Sequence, residues 1–456
     1  MPSSLRRELT LTNSAALVVS NMIGTGIFTT TGYLAGGLGQ PLLVLGVWLM
    51  GAVVALAGCL AYAELGMNLR RSGGEYIYLR EAWGPGWGFL SGWVSFFVGF
   101  SAPIAAGALA LSAYLGHFFP SLSPDAPHKT IFRLLQLGNA QLVSVGVIAG
   151  FALINVLGVR RAARLQNLLT VLKLGVLGAF LALAFTVGHG DWAHFRLVAS
   201  RNSPHGLGAQ FAVSLIFVMF AYSGWNAASY VTEEMKAPER TLPLAMVLGT
   251  GLVALFYLAL NTAFIYALPV DSLRGVVAVG AVTASALFGS RAGDLFSGIM
   301  AAALLSCAGA MSLVGPRVYY AMAQDGCFPR AAARVHPRWQ TPVQAILYQS
   351  VASAVMALSG SFEALIYYIG FTLVLFAALA VAGLLRLRKR PQWRRLHAVS
   401  WCYPAVPVAF VLASLWMLTW TLVVRPRESS LGLLTVLCGG VLHRWKYRRD
   451  SLLHRD

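Results

Sequence analysis

Two short stretches, 200 residues apart, interrupt long apolar segments of this chain: Asn21-Met-Ile-Gly24-Thr-Gly-Ile-Phe28 and Phe220-Ala-Tyr-Ser-Gly224-Trp-Asn226. Small, flexible residues in the middle of an apolar segment weaken a helix. One Gly-x-Gly motif alone fits a packing notch between two membrane helices. Interruptions at matching positions of two halves of a chain are instead typical of the binding site of a secondary transporter. The pair therefore favours two broken helices over two packing notches.

The surrounding composition is that of a polytopic membrane protein. The 456 residues are 57% hydrophobic and 11% charged, with a mean hydropathy of +0.68, whereas soluble domains carry roughly 25% charge. A soluble enzyme, a disordered chain and a disulfide-stapled secreted domain are excluded. Apolar runs of spanning length predict twelve spans, numbered 1 to 12 along the chain: 12–37, 41–66, 86–115, 140–157, 166–187, 208–233, 243–268, 293–322, 341–358, 362–385, 402–423 and 429–443.

The distribution of Lys and Arg predicts the orientation of these spans. Segments on the side of the N-terminus hold three times as many Lys and Arg residues as segments on the other side. By the positive-inside rule, both termini are predicted to be cytoplasmic, in the cell membrane. The same distribution accounts for most of the net charge of +18, so no nucleic-acid partner is expected. The N-terminus shows no signal-cleavage pattern, and the first span is predicted to be retained.

The two breaks suit the chemistry of an α-amino acid. Unwound backbone in the middle of a membrane is tolerated only where a cavity or a ligand satisfies its polar groups. The N-terminus of a half-helix offers amides to a carboxylate, and free carbonyls suit an ammonium group. Paired breaks therefore predict a binding site that is built from backbone groups and accepts a zwitterion.

The motifs around the breaks also carry a family resemblance. Gly24-Thr-Gly-Ile-Phe28 resembles the glycine-rich first-helix motif of the amino acid–polyamine–organocation (APC) superfamily, and residues 220–226 with Val231-Thr-Glu-Glu-Met235 resemble the sixth helix of its L-type amino acid transporter (LAT) family. Three further stretches agree: Ala61-Tyr-Ala-Glu-Leu-Gly66 with Ser72-Gly-Gly-Glu-Tyr-Ile-Tyr78, Pro238-Glu-Arg-Thr-Leu-Pro-Leu-Ala245, and Asp325-Gly-Cys-Phe-Pro329 before Thr341-Pro342.

This resemblance implies an all-α LeuT-type fold with twelve transmembrane helices. Its five-plus-five inverted repeat divides the chain into a first repeat (12–187, spans 1–5), a second repeat (208–385, spans 6–10), two additional helices (402–443) and two cytoplasmic tails (1–11 and 444–456).

The resemblance also assigns a substrate site, whose residues are Ile23, Gly24, Thr25, Gly26 and Ile27 in span 1 and Phe220, Ala221, Tyr222, Ser223, Gly224 and Asn226 in span 6. In this assignment the amides of residues 25–27 bind the substrate carboxylate, and backbone of residues 220–223 takes its amino group. Phe220 closes over the substrate as an aromatic gate, and Asn226 lines the site.

A charged residue, Lys173, lies within span 5. At 1.5 Å per residue it is about 10 Å into the membrane, where insertion scales set a cost of about 2.5–3.5 kcal/mol and a functional role is typical. The resemblance implies that its ammonium replaces the ion of sodium-coupled relatives beside the broken first helix, with Tyr257 in the same network. A permanent charge would support sodium-free exchange, and a titrating group would couple uptake to protons; the first is favoured.

Charged residues and cysteines limit the substrate and the partners. The acidic residues considered (Glu64, Glu233, Glu234, Glu363 and Asp294) are expected away from the breaks, so neutral L-amino acids are favoured over cationic ones. Glu233 and Glu234 are expected to pair with Arg160, Arg161 or Lys236, either at an inner gate or on the surface. Residues 116–139 hold no Cys, so the resemblance implies no disulfide-linked heavy subunit.

The function predicted is therefore alternating-access transport, most consistent with sodium-independent exchange. Proton-coupled symport stays open, and cationic amino acid transport or a channel is disfavoured. All nine histidines lie in loops, tails or span ends, so an enzyme is not expected. No cofactor and no metal is predicted. Besides the neutral L-amino acids that it transports, the chain is expected to contact membrane lipid.

Overall fold

The computed structural model describes residues 9–69, 73–124, 126–131, 135–157, 159–336, 338–339 and 341–453. These residues form eighteen α-helices: α1 (Leu11–Met22), α2 (Thr25–Leu38), α3 (Pro41–Asn68), α4 (Glu75–Trp83), α5 (Pro85–Val94), α6 (Ala102–Leu115), α7 (Asn139–Val156), α8 (Val159–Thr186), α9 (Leu207–Ala221), α10 (Pro238–Ala267), α11 (Val270–Leu273), α12 (Val279–Phe288), α13 (Ser290–Gln324), α14 (Val343–Ser359), α15 (Phe362–Leu387), α16 (His397–Trp401), α17 (Ala405–Val424) and α18 (Pro426–Leu453).

Each of the twelve predicted spans contains one or two of these helices, and α4, α11, α12 and α16 lie outside the predicted spans. Six continuous helices among the described residues are long and apolar enough to cross a membrane, and the bent pair α1–α2 makes a seventh. Of four shorter apolar helices, three lie in spans 5, 6 and 9, and the fourth, Val279–Phe288, lies outside the predicted spans. The all-α, multi-pass prediction is confirmed. At the end of the chain, α18 continues to Leu453, through most of the segment predicted as a tail.

Large apolar side chains project from the outside of the helix bundle. Leu42 on α3 is 70% exposed, Val171 on α8 is 72% exposed, and Leu255 on α10 is 67% exposed. In water such side chains would be costly to expose, at about 25 cal/mol per Å². Their number and their position on spanning helices are explained by contact with lipid tails.

Two local elements depart from a simple row of helices. Between spans 3 and 4, strands β1 (Lys129–Ile131) and β2 (Leu135–Leu137) pair antiparallel, with Lys129 opposite Leu137. Within span 3, residues Ser95–Ser101 form a π-helix between α5 and α6. The hydropathy pattern predicts neither element, because the strands are short and the π-helix leaves the apolar run unbroken.

We call the face at which α1 begins and α3 ends the inner face, which the sequence predicts to be cytoplasmic. Here Arg388, at the end of α15, donates from Nε to Glu64 Oε1 at 2.7 Å and from a terminal guanidinium nitrogen to Oε2 at 3.3 Å. The Glu64 carboxylate also accepts the indole N–H of Trp393 (2.9 Å) and the backbone N–H of Leu396 (3.1 Å). This buried ion pair ties span 2 to span 10 and to the segment before span 11.

The two broken spans pack against spans 2 and 7 in the middle of the bundle. Three buried aromatic rings meet there: Trp48 of α3 lies 5.2 Å from Tyr257 of α10, and Tyr222, just after α9, lies 5.1 Å from Tyr257. The Tyr222 hydroxyl also donates to the Trp48 carbonyl at 3.3 Å. Large rings packed this tightly make a rigid wall behind the breaks.

Candidate functional site

The first span breaks within the predicted motif. Helix α1 ends at Met22 and α2 begins at Thr25, with a bend of 42° between the two axes. Ile23 is extended (φ −72°, ψ 90°), although its N–H still bonds the carbonyl of Val19 at 3.0 Å. Gly24 adopts φ −133°, ψ −149°. The break therefore occupies two residues, and the chain resumes as a helix toward the outer face.

The sixth span breaks in a matching way. Helix α9 ends at Ala221, and the chain resumes at Ala227–Glu234 as a 3₁₀-helix. Gly224 lies between the two halves with φ +98°, a conformation that L-residues with a Cβ rarely adopt. The sequence predicts the position of this break, but it does not predict that the inner half is 3₁₀.

The two breaks contact each other directly. A Cβ built on Gly26 would collide with the Cα of Ala221, and a Cβ on Gly224 would lie 2.9 Å from the carbonyl carbon of Asn21. The outer halves of spans 1 and 6 thus meet at Gly26, and the inner halves meet at Gly224. At both positions glycine permits the close approach of two backbones.

The first turn of α2 offers amides at the break. Gly24 is its N-cap and supplies no side-chain hydrogen bond. The first N–H groups of an α-helix have no acceptor within the helix, and they carry the positive end of its dipole. Thr25, Gly26 and Ile27, the residues predicted to bind a carboxylate, form this turn and are buried. The arrangement can hold an anion by backbone alone.

Lys173 reaches the same break from span 5. Its side chain is 1% exposed, and its ammonium donates to the carbonyl of Ser20 at 3.3 Å and to the carbonyl of Ile23. Both carbonyls lie at the end of α1, where intrahelical donors run out. The Lys173 side chain therefore bonds backbone oxygens of the broken span through its terminal nitrogen.

Tyr257 joins the two broken spans. Its hydroxyl oxygen lies 2.7 Å from the carbonyl of Met22 and 3.0 Å from the carbonyl of Ala221. These two carbonyls belong to the last residues of α1 and α9, one on each side of the site. One hydroxyl thus lies within hydrogen-bonding distance of an oxygen in each break, and its single proton is shared between them. Ala221 is among the residues predicted to receive the substrate amino group. The Tyr257 hydroxyl is therefore a donor already present at part of the predicted amino-group site.

The remaining predicted residues lie on span 6. Phe220 is 5% exposed in the last turn of α9, and its carbonyl accepts the N–H of Ser223 at 3.0 Å. Asn226 precedes the 3₁₀ half, and its side-chain amide donates to Glu75 Oε1 at 3.1 Å. Nothing in the structure tests the gating of Phe220 or the contact of Asn226 with substrate, and both stay predictions.

Two sets of residues outside the predicted substrate site contact the broken spans. On the inner side, Glu75 of the loop helix α4 is buried, and it accepts the hydroxyl of Tyr62 at 2.6 Å as well as Asn226. Burial raises the pKa of the Glu75 carboxyl above its ordinary value, and the bonds from Tyr62 and Asn226 oppose that rise. An acidic side chain therefore lies next to the break of span 6. The signal was present, since Glu75 belongs to the Ser72-Gly-Gly-Glu-Tyr motif.

On the outer side, aromatic rings cover the breaks. Tyr33 of α2 stacks on Phe217 of α9 at 5.3 Å and on Phe362 of α15 at 6.2 Å. Phe217 also meets Tyr367 edge-on at 4.6 Å, and the guanidinium of Arg425 lies 4.7 Å above the Tyr367 ring. The outer halves of spans 1 and 6 are thus held against span 10.

One expected interaction lies outside the described residues. The side chains of Glu233, Glu234, Arg160 and Arg161 are not described, while Lys236 is exposed and its backbone N–H bonds the carbonyl of Leu9 at 3.0 Å.

Comparison with known proteins gives a consistent result over nearly the whole chain. The profile of the family described as "Amino acid permease" matches residues 9–442. The serine/threonine exchanger SteT of Bacillus subtilis is 31% identical over 459 residues, covering 98% of this chain and 99% of the relative. The human cystine/glutamate transporter is 29% identical, covering 95% and 84%. The mouse large neutral amino acids transporter small subunit 2 is 30% identical, covering 96% and 80%.

Proposed function

The chain belongs to the amino acid permease family, as a LAT-type member of the APC superfamily, and we propose that it exchanges neutral L-amino acids across the cell membrane by alternating access, without sodium. It is an amino acid transporter and not an enzyme. The observation that supports the proposal most is the pair of opposed breaks, with free amides on span 1 and an ammonium, Lys173, in place beside them. We propose further that both termini are cytoplasmic and that no disulfide-linked heavy subunit is required.

The preference for neutral substrates follows from the charges near the breaks. A cationic side chain in a low-dielectric site needs an ionised carboxylate. Glu64 is already paired with Arg388. Glu75 is held by two hydrogen bonds, and burial favours its neutral form. A substrate without a net charge therefore fits the described surroundings best.

The independence of sodium follows from Lys173. Its ammonium supplies a positive charge to carbonyls at the end of α1, which is the kind of oxygen that binds a cation at a broken helix. With that charge fixed to the protein, a co-transported sodium ion is unnecessary. Exchange, rather than net uptake, is in line with the named activity of the Bacillus relative, a serine/threonine exchanger.

Counterflow in sealed proteoliposomes tests these statements together. Liposomes preloaded with one unlabelled amino acid are given a trace of labelled amino acid, in sodium-free buffer and over a panel that includes serine, alanine, leucine, glutamate and arginine. We expect transient accumulation of neutral substrates only. Accumulation of arginine alone, or a strict need for sodium, contradicts the proposal, and label that equilibrates without counterflow indicates a channel.

Lys173→Ala is the variant that tests the cation site, and Lys129→Ala is its control, because Lys129 is exposed in β1, outside the spans. We expect Lys173→Ala to lose most exchange and Lys129→Ala to retain it. Normal exchange by Lys173→Ala would contradict the proposal that the Lys173 ammonium takes the place of a sodium ion.

A further inference from the structure

Glu75 is the first residue of the loop helix α4, between spans 2 and 3, and it is 8% exposed. Its carboxyl oxygen Oε1 accepts the hydroxyl of Tyr62 at 2.6 Å and the side-chain amide of Asn226 at 3.1 Å. Tyr62 lies on span 2, and Asn226 lies in the break of span 6. One carboxyl oxygen therefore joins three separate elements on the inner side of the site.

Aromatic rings surround this carboxyl. The Tyr62 ring meets Trp225 edge-on at 4.6 Å and Tyr78 at 5.4 Å. We call the five residues Tyr62, Glu75, Tyr78, Trp225 and Asn226 the inner seam. If the inner halves of spans 1 and 6 move away from span 2 and α4, the inner seam must open.

The backbone beside the inner seam is also closely packed. Gly74, which precedes α4, has φ +50°, and a Cβ there would lie 2.8 Å from the ring of Tyr230. The loop helix is therefore packed directly on the inner half of span 6.

No lysine or arginine among the described side chains forms an ion pair with Glu75. The titratable groups that face it are hydroxyls: Tyr62 from α3, Tyr78 from its own helix and Tyr230 from the 3₁₀ half of span 6.

The charged residues near Glu75 are exposed or form ion pairs with other residues. On the same helix, Arg80 is exposed and Glu81 pairs with Arg390 at 3.1 Å. On α3, Glu64 is committed to Arg388. Nothing described therefore neutralises an ionised Glu75, and a buried carboxylate without a cation is costly.

From this geometry we propose that Glu75 is a proton-binding site that controls opening of the inner seam, an inference that rests on the transport function proposed above. In the closed seam the carboxyl is protonated on Oε2, while Oε1 accepts the two hydrogen bonds. When the seam opens and water enters, the proton leaves to the cytoplasmic water and the carboxylate is hydrated. When the seam closes, the proton returns from the same side.

The direction of the pH effect follows from linkage. Burial raises the pKa of Glu75 in the closed seam, and hydration in the open seam returns the pKa toward its ordinary value. The closed seam therefore binds the proton more tightly, and acidification of the cytoplasm favours it. Each unit of pKa difference between the two states changes the equilibrium about tenfold over the affected range. Exchange should slow as the internal pH falls through the raised pKa.

The test compares pH profiles of exchange in proteoliposomes, with internal pH varied and external pH held constant. The wild type should slow at low internal pH. Glu75→Gln, which keeps an acceptor oxygen but cannot ionise, should be slow and independent of pH. Glu81→Gln, on the exposed side of the same helix, should keep the wild-type profile. A wild-type profile in Glu75→Gln, or a flat profile in the wild type, overturns the proposal.

A second variant and a second measurement guard against misfolding of Glu75→Gln. Tyr62→Phe removes a hydrogen bond that lowers the pKa of Glu75, so the midpoint of its profile should move to higher pH, and an unmoved midpoint counts against the site. In difference infrared spectra of the purified protein, the wild type should show a protonated carboxyl band that Glu81→Gln retains and Glu75→Gln lacks. If this band is present but no amino acid exchanges at any pH, the transport function fails and the proton site stands; if exchange occurs and the band is absent, the proton site fails alone.

Discussion

Replacing Tyr257 with Phe removes a hydroxyl group that lies within hydrogen-bonding distance of a carbonyl in each broken span. The hydroxyl lies 2.7 Å from the Met22 carbonyl and 3.0 Å from the Ala221 carbonyl, and Tyr257 is fully buried. A buried acceptor that loses its donor costs about 1–3 kcal/mol, whereas hydrogen bonds between membrane helices average about 0.6 kcal/mol. The single proton is shared between two buried helix-end carbonyls, and its removal leaves both without this donor, so we expect a loss of about 1–2 kcal/mol, above that average.

Substrate binding should weaken by up to the same amount, because the hydroxyl fixes the relative position of the two breaks that form the predicted site. A change of 1–2 kcal/mol is a factor of about 5 to 30 in an equilibrium, so we expect KM for exchange to rise by about that factor. Thermal unfolding of the purified protein and concentration-dependent counterflow measure the two effects. Tyr114→Phe is the matched control, since its hydroxyl bonds a single carbonyl, that of Phe28 inside α2, at 3.1 Å. An unchanged KM in Tyr257→Phe, or an equal rise in Tyr114→Phe, would refute the reasoning.

Two further substitutions test the packing around the site. Gly224→Ala should reduce the yield of folded protein in size-exclusion chromatography, because φ is +98° and the new methyl group would lie 2.9 Å from the carbonyl carbon of Asn21; a normal yield would contradict the tight contact. Glu64→Gln leaves the guanidinium of Arg388 buried without a counter-charge, which costs about 3–5 kcal/mol, and should lower the thermal unfolding temperature far more than Glu81→Gln, whose ion pair is exposed.

The spans and both breaks are predictable from the sequence because they depend on local properties. Runs of apolar residues give the helices, and the glycines at 24 and 224 mark the interruptions between helices. Lys173 is identifiable because a charge inside an apolar run is rare. Its carbonyl partners come from a family resemblance and not from the pattern around the lysine, since they lie 150 residues away in the chain.

The neighbours of Glu75 illustrate what a local pattern leaves out. Hydropathy assigns residues 70–85 to a loop, and the Ser72-Gly-Gly-Glu-Tyr motif marks this segment without showing which residues α4 packs against. The distance in sequence between Glu75 and Asn226 is 151 residues, so their contact depends on the packing of the whole bundle. The contact between the Tyr257 hydroxyl and the Ala221 carbonyl also depends on the packing of the whole bundle, because it requires the end of α9 to lie against α10.

The contacts at the breaks also determine which parts are able to move together. The inner halves of spans 1 and 6 meet at Gly224, and residue 9, just before α1, pairs with Met235 at the far end of the 3₁₀ half. The inner halves are thus joined at both ends.

The outer halves meet at Gly26 and are held by the rings around Tyr33. Tyr257 contacts the last carbonyl of the inner half of span 1 and the last carbonyl of the outer half of span 6. Any motion that separates the inner pair from the outer pair must change one of these two distances. We therefore expect the Tyr257 hydroxyl to lie within hydrogen-bonding distance of both carbonyls only while both sides are closed, so its loss should weaken the closed state more than either open one.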